Sequence, residues 1–501
     1  MLDKSPHCLL SLILDKWSID QNANQVFTLD TGWISRGRVE EETRKAAVGI
    51  YRSGISANDR ILIFPDRSFE FLRVYLGTLR LGAVAVLANP DYTESELAHL
   101  VALSKPKAFW TRSETKASFL LELGEAGIHL GGFTGPGSHL NISKGELLRI
   151  ADSPTASGEV PLDFCQVNDS ALVFFTSGTT GRPKGVLMSH GSLGSNLKAL
   201  QEAWEWTEND ELLLSLPLFH MHGLGVGING SLALGSRVVV LSKFEPSVIS
   251  SAISLHNVSM FFGVPTMYSR LLASGDISSL AGLRLIVSGS APMGIELHQS
   301  LKAILGNYVV ERYGMSEAAM ISSNPVNGIR IPYSVGPALP GIVVDIDVDG
   351  SEILVEGPNL FDGYLGDLES TKASFDSLGR FRTGDSGYID DSGYLVISGR
   401  LKDLIITGGF NVYPREVENV LARYPGVTDV AVIGKPSQQW GEEIVAFVVA
   451  DGVSREELIR ECASELVGYK RPKRIVFVDS IPKNSMGKTL YKDLKAALEK
   501  P

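Results

Sequence analysis

Short apolar runs alternate with amphipathic stretches along most of the chain. The runs at 60–64, 83–87, 171–175, 237–241, 258–262 and 283–287 are dominated by aliphatic and aromatic residues and hold at most one charge each, the pattern of strands buried on both faces. Between them, 69–81, 193–206 and 295–305 repeat apolar residues three and four apart, which predicts helices with one core-facing stripe. Strands and helices in this alternation predict α/β layers packed around largely buried sheets. From about residue 335 the texture changes to short strand-like runs separated by glycine turns, GSEILVEGPNLFDGYL and DDSGYLVISGR, which predicts a small β-rich subdomain. A new unit opens after Arg400, with a helix over 414–424, strands over 427–433 and 443–449, a helix over 455–467 and a strand over 474–478. That is a compact α+β domain of about 100 residues, a usual domain size. The expected fold is therefore α/β: a large N-terminal domain of layered α/β subdomains plus a β-rich subdomain over residues 1–400, then a small C-terminal α+β domain.

One stretch tests that picture. Residues 212–236 contain no Asp, Glu, Lys or Arg, and a membrane span needs only about 20 apolar residues. Pro217, His220, His222, Asn229 and five glycines interrupt it, so it is expected as strand, loop and helix inside a soluble core, with no membrane span. The N-terminal MLDKSPHCLLSLILDKWSID lacks the basic flank and small-residue cleavage site of a signal peptide. Cys8, Cys165 and Cys462 are widely scattered and odd in number. They offer neither a disulfide framework nor metal-ligand spacing, which favours a reducing, cytoplasmic setting. A net charge of −11 argues against a nucleic-acid partner, although one local cluster of Lys and Arg suffices for a small anion.

The sharpest local signal is TSGTTGRPKG at 176–185, directly after the apolar run 171–175. Gly178 and Gly181 free the backbone to approach an anion. The hydroxyls of Thr176, Ser177, Thr179 and Thr180 can donate to phosphate oxygens, and Lys184 adds positive charge. The Walker pattern cannot be aligned on it. On this segment alone, a phosphate cradle and an ordinary Gly/Ser/Thr turn both stay open.

Five further motifs follow in order: YGMSE (313–317), TGD (383–385), GRLKDL (399–404), GGFNVYP (408–414) and PKNSMGK (482–488). Together with the first they resemble the acyl-adenylate-forming superfamily of acyl- and aryl-CoA synthetases, peptide-synthetase adenylation domains and firefly luciferase. Ser316 stands where that family usually has Thr, which keeps the hydroxyl. The resemblance implies an enzyme that uses ATP to convert a carboxylate into an acyl-adenylate and passes the acyl group to coenzyme A. It implies that Thr176, Ser177, Gly178, Thr179, Thr180, Gly181 and Lys184 hold phosphates, and that Glu317 with Thr179 holds Mg²⁺, a hard cation on hard oxygens. Asp385 takes the place of the carboxylate on both ribose hydroxyls, and Arg400 that of a guanidinium near ribose and phosphate. Gly289 and the run Glu311, Arg312, Tyr313, Gly314, Met315 and Ser316 resemble the walls of the adenine and acyl pockets. Lys488 resembles the lysine that bridges carboxylate and α-phosphate. The family rotates a small domain about a hinge between half-reactions. The hinge is expected at 401–402, with Lys402 in it, and residues 403–501 as the mobile domain. Rotation withdraws Lys488 and brings Gly408 and Gly409 beside the thiol tunnel.

The segments PLFHMHGL (217–224), FFGVPTMYSR (261–270), VSGSAP (287–292) and VVERYGMSEAAMISSNP (309–325) resemble one branch, the malonyl-CoA and methylmalonyl-CoA synthetases. That branch implies a dicarboxylic acid whose distal carboxylate is held by Arg270 and Ser290, with His222 nearby and His220 gating thiol access. An unpaired buried charge is prohibitive, and a guanidinium suits a carboxylate through paired hydrogen bonds. Three alternatives stay open: a monocarboxylate ligase for short-chain, medium-chain or aryl acids, a non-catalytic adenylate-binding protein, and an adenylation module loading a carrier protein. The last is disfavoured because no carrier domain is expected after residue 501.

Overall fold

The computed structural model describes residues 7–130, 160–177, 183–347, 351–483 and 488–499. Two large sheets form the N-terminal part. The first runs Ala319–Ser323, Val310–Met315, Leu285–Ser288, Met260–Gly263, Glu211–Leu214, Arg237–Val240, Asn24–Thr28 and Gly32–Ser35; its pairs are parallel except at the two edges. The second runs Gly363–Tyr364, Pro183–Ser189, Ser170–Ser177, Val84–Leu87, Arg60–Ile63, Ala108–Trp110 and Ile128–His129. Central strands such as Met260–Gly263 and Leu285–Ser288 are buried at every position, because helices cover both sheet faces; this is why they read as continuous apolar runs.

Helix boundaries follow capping chemistry. Phe69–Arg80 starts after Ser68, whose side chain accepts the Phe71 amide at 3.2 Å. The expected helix at 193–206 is instead His190–Ala203, because Ser189 caps it by accepting Ser192 N–H at 3.1 Å. Its first turn, with His190, Gly191 and Ser192, is fully packed rather than amphipathic, so periodicity could not announce it. The uncharged stretch is strand, loop and helix as expected: the strand ends at Leu214, residues 215–220 are irregular, and a π-helix over Met221–Ile228 runs into the helix Asn229–Leu234. The glycines there serve close approach: a Cβ on Gly223 would meet the Pro217 carbonyl. No described helix is long and apolar enough to cross a membrane.

The β-rich part is a sheet of Val343–Ile346, Glu352–Glu356, Phe381–Ile389 and Leu395–Arg400. A short 3₁₀ turn, Leu401–Asp403, leads to the C-terminal unit, where Phe410–Val412, Ile405–Thr407, Gly441–Ala450, Val427–Ser437 and Arg474–Phe477 make a sheet carrying the helices Pro414–Ala422 and Arg455–Glu465. The two parts touch: the Tyr413 and Ser351 hydroxyls are 2.8 Å apart.

Candidate active site

The strand ends of these sheets converge on one cleft. Antiparallel pairing sets Asp385 opposite Arg400, and the guanidinium Nε lies 3.0 Å from the buried carboxylate. The Tyr313 hydroxyl donates to the other oxygen of Asp385 at 2.6 Å. Thr383 fixes the turn, accepting the Asp385 amide at 3.1 Å while donating to the Ile353 carbonyl at 2.7 Å. The Asp385 charge holds the Arg400 proton more firmly than usual. Burial, and then that same carboxylate, raises the Tyr313 phenol well above its ordinary value. A carboxylate held this way is a rigid acceptor for a diol.

Glu317 lies deep in the cleft, 7% exposed, and accepts the Tyr364 hydroxyl at 3.1 Å. Burial raises its carboxyl pKa; Tyr364, Arg400 and Lys488 pull the other way without reversing it. The strand turn Thr176 pairs with Lys184, and Ser177 with Pro183. The Lys184 ammonium donates to Ser370 at 2.7 Å and sits 4.7 Å over the Tyr364 ring. The stem of the first motif is thus coupled through Tyr364 to Glu317. Gly178, Thr179, Thr180 and Gly181 lie outside the described residues, as does the side chain of Ser177.

Lys488 reaches the same cleft from the C-terminal unit. Its loop is closed by a Lys483–Thr489 bridge and a 2.6 Å Lys483–Asp429 ion pair. The residue keeps solvent contact through the open cleft, yet its ammonium is crowded enough that burial first, and then Arg400, lower its pKa, with Asp385 and Glu317 opposing.

Beside this group lie two histidines and a second arginine. Burial and then the Lys488 charge push His220 down to about 4. His222 is 2% exposed, stacks on Phe262, and is driven further below its ordinary value by burial, Arg312 and His220. Arg312 is 4% exposed and packs on Gly289, where a Cβ would collide with the guanidinium. It donates a long bond, 3.4 Å, to the Ser290 hydroxyl; among the described residues its Nε has no partner, and burial lowers it to about 9. Ser290 is held at φ +68°, a strained position for a residue with a side chain.

Other candidates sit differently. Both carboxylate oxygens of Glu311 are taken, one by His298 at 2.8 Å and one by the Met293 amide at 3.2 Å, so its side chain anchors the 289–293 turn. Gly314 pairs with Met320 and lets the Ala319 carbonyl approach closely, Met315 ends that strand, and Ser316 lies in the turn before Glu317. Arg270 is exposed, its guanidinium 4.9 Å over the Phe244 ring, and no acid pairs with it among the described residues. Lys402 is exposed in the 3₁₀ turn; Gly408 and Gly409, both at positive φ, form an exposed hairpin tip. Tyr364 went unnoticed in the sequence, where its only mark is an aromatic between glycine turns.

Two outcomes can be measured directly. Asp385→Ala removes a charge-assisted acceptor and should raise the KM for ATP by about ten-fold or more with the melting temperature within a few degrees; steady-state kinetics with varied ATP checks it, and an unchanged KM would separate Asp385 from the nucleotide. For pH, His220 and His222 are neutral in the fold but titrate near 6.5 when unfolded. Between about pH 6.5 and 4 the unfolded chain therefore binds more protons. Stability should fall as pH drops through that window, by up to about 1.4 kcal/mol per unit per histidine. Melting curves from pH 7 to 5 should show the descent, and His222→Phe should flatten it; an unaltered slope assigns the loss to other groups.

Residues 16–365 match the AMP-binding enzyme family, and residues 416–488 its C-terminal domain. The chain is 35% identical to a malonate–CoA ligase of Arabidopsis thaliana, over 88% of this chain and 78% of that one. It is 32% identical to 4-coumarate–CoA ligase 3 of Oryza sativa subsp. japonica, over 92% and 86%. Among solved structures, MatB from Rhodopseudomonas palustris, 34% identical, superposes with a TM-score of 0.88 in its ATP-bound form, covering 98% of this chain and 99% of that one. Its apo form gives 0.80 over 99% of each chain. With its paired Asp385 and Arg400, its buried Glu317 and its inserted Lys488, the chain belongs to the AMP-binding enzyme family as an AMP-forming acid–thiol ligase of the acyl-CoA ligase kind.

Proposed function

We propose that this ligase activates malonate or methylmalonate and yields the corresponding CoA thioester, AMP and pyrophosphate. The observation that carries the proposal is Arg312: a guanidinium 4% exposed, with no carboxylate partner among the described residues and an unpartnered Nε. Leaving such a charge uncompensated is costly, and a dianionic acid keeps one carboxylate free to meet it after the other is activated. Ser290 adds a donor, and Arg270, exposed over Phe244 and without an acid among the described residues, is a second cation for a distal carboxylate. His220 and His222 stay neutral, so they do not add to the charge around the acyl group.

In this reaction Asp385 accepts from the ribose hydroxyls, and Arg400 and Lys488 stabilise negative charge growing on the α-phosphate as the acid's oxygen attacks it. Glu317 fits a divalent cation: it is a hard oxygen donor whose burial leaves its charge under-compensated. Mg²⁺ held there, with Thr179, would neutralise phosphate charge. Residues 403–501 then turn about 401–402, withdrawing Lys488 and bringing Gly408 and Gly409 to the cleft for thiol attack by coenzyme A.

The test is thioester formation with malonate, methylmalonate, succinate, acetate, butyrate and 4-coumarate at fixed ATP and CoA. Malonate or methylmalonate should exceed the monocarboxylates by at least about a hundred-fold in kcat/KM, since sites built for a polar group discriminate strongly against analogues lacking it. A second reading, an aryl monocarboxylate, has support in the similar identity to 4-coumarate–CoA ligase. Preference for 4-coumarate would replace the diacid proposal.

A further inference from the structure

Cys8 and Cys165 are 157 positions apart, yet their sulfurs lie 3.4 Å from each other, in contact without a bond. Packing on one helix brings them together. The first turn of His190–Ala203 carries Gly191 and Gly194. The Gly191 amide donates to the Val167 carbonyl at 2.7 Å. A Cβ on Gly194 would run into the carbonyl of His7, whose own amide donates to Ser195 at 3.3 Å. Two distant segments are therefore pressed onto the same glycine face, and the cysteines beside His7 and Val167 meet.

The surroundings favour thiolate chemistry. Cys8 is the N-cap residue of the eleven-residue helix Leu9–Ile19, where first-turn amides stabilise negative charge. His190 is fully buried and lies within 4.8 Å of both sulfurs; among the described residues neither ring nitrogen has a well-formed hydrogen bond, and the Cys8 sulfur is an acceptor within its reach. The adjacent Cys165 thiol, then His190 and Ser11, pull Cys8 down to about 3, while the neighbouring Cys8 sulfur holds Cys165 well above the usual thiol value. The contact favours ionising one sulfur while the other keeps its proton. Both are half-buried, within reach of a small reagent, whereas Cys462 is buried and pushed up to about 11. None of these groups belongs to the site described above.

We propose that Cys8 and Cys165 form a peroxide-sensitive thiol pair that closes to a reversible disulfide, fastening the N-terminal helix and the segment around residue 165 to the start of the helix His190–Ala203. The Cys8 thiolate attacks hydrogen peroxide: an S–O bond forms, the O–O bond breaks, and hydroxide leaves. The Cys165 sulfur then attacks the sulfenic sulfur, forming S–S and releasing water with its own proton and the departing hydroxyl. Hydrogen peroxide is the two-electron acceptor, and a dithiol restores both thiols.

The reduced full-length protein is treated with hydrogen peroxide in small excess and digested without reduction. The expected result is one linked peptide joining Cys8 to Cys165, loss of two of the three free thiols, full reversal by dithiothreitol, and a higher melting temperature. Cys165→Ser should stop at a sulfenic acid on Cys8 that a cyclic dione traps, with ligase activity unchanged. In Cys8→Ser, Cys165 should be at least about ten-fold slower to oxidise, its thiol being largely un-ionised. Links to Cys462, links only between molecules, or three intact thiols under peroxide would overturn the proposal. So would thiols that stay silent until a chelator removes tightly bound zinc, since Cys8, Cys165 and His190 would then be metal ligands.

Discussion

Replacing Lys488 with Ala should reduce ATP-dependent adenylation by roughly 10²–10³-fold, the usual loss when one preorganised charge at a developing oxyanion is removed. The ammonium stands among Arg400, Arg312, Asp385 and Glu317 and comes from the C-terminal unit, while the others come from the large domain. Its removal should leave both folds intact, because the residue lies outside the helices and strands and the nearby Lys483–Asp429 ion pair remains. The second half-reaction is the sharper readout. If residues 403–501 rotate after adenylation, Lys488 has left the carbonyl before the thiol attacks, and thioester formation from supplied acyl-adenylate should stay within a few-fold of wild type. Pyrophosphate release measures the first half and thioester absorbance the second. Equal losses in both would mean that a single arrangement serves the whole reaction.

The strands and helices with strong apolar periodicity were legible in the sequence to within a few residues, and Ile295–Leu305 to the residue. Periodicity failed where packing is total. The turn His190–Ser192 and the π-helix Met221–Ile228 are buried all round, so no polar face marks a period. Glycines that look like turn signals in those stretches are there for close approach, as at Gly194 against His7. The site motifs were legible because each is local: a turn, a strand end, a loop. What they could not carry is side-chain direction. Glu311 and Arg312 are neighbours in one motif, but strand alternation turns Glu311 to His298 and Arg312 to Ser290. Long-range meetings were invisible for the same reason. Spacing set Cys8 and Cys165 apart, and only the shared helix face joins them.

Arg312 is where the acid can be decided. Two arginines are available to a distal carboxylate, and burial ranks them. Arg270 is exposed over Phe244, and an exposed pair contributes about 0–1 kcal/mol, so Arg270→Leu should cost malonate only a few-fold. Arg312 is 4% exposed, and removing one partner of a buried pair costs about 3–5 kcal/mol. Arg312→Met keeps most of the volume packed on Gly289 and deletes the charge. Malonate kcat/KM should then fall by roughly 10²–10³-fold. Butyrate, with no distal charge, should hold or improve, because the variant no longer buries a cation that butyrate cannot neutralise. The KM for ATP should stay within about two-fold if Arg312 does not touch phosphate. The measurement is kcat/KM for both acids and KM for ATP in both proteins, with melting curves to confirm folding. A parallel loss on both acids accompanied by a raised KM for ATP would return Arg312 to the nucleotide, and the diacid would lose the one buried cation that calls for it.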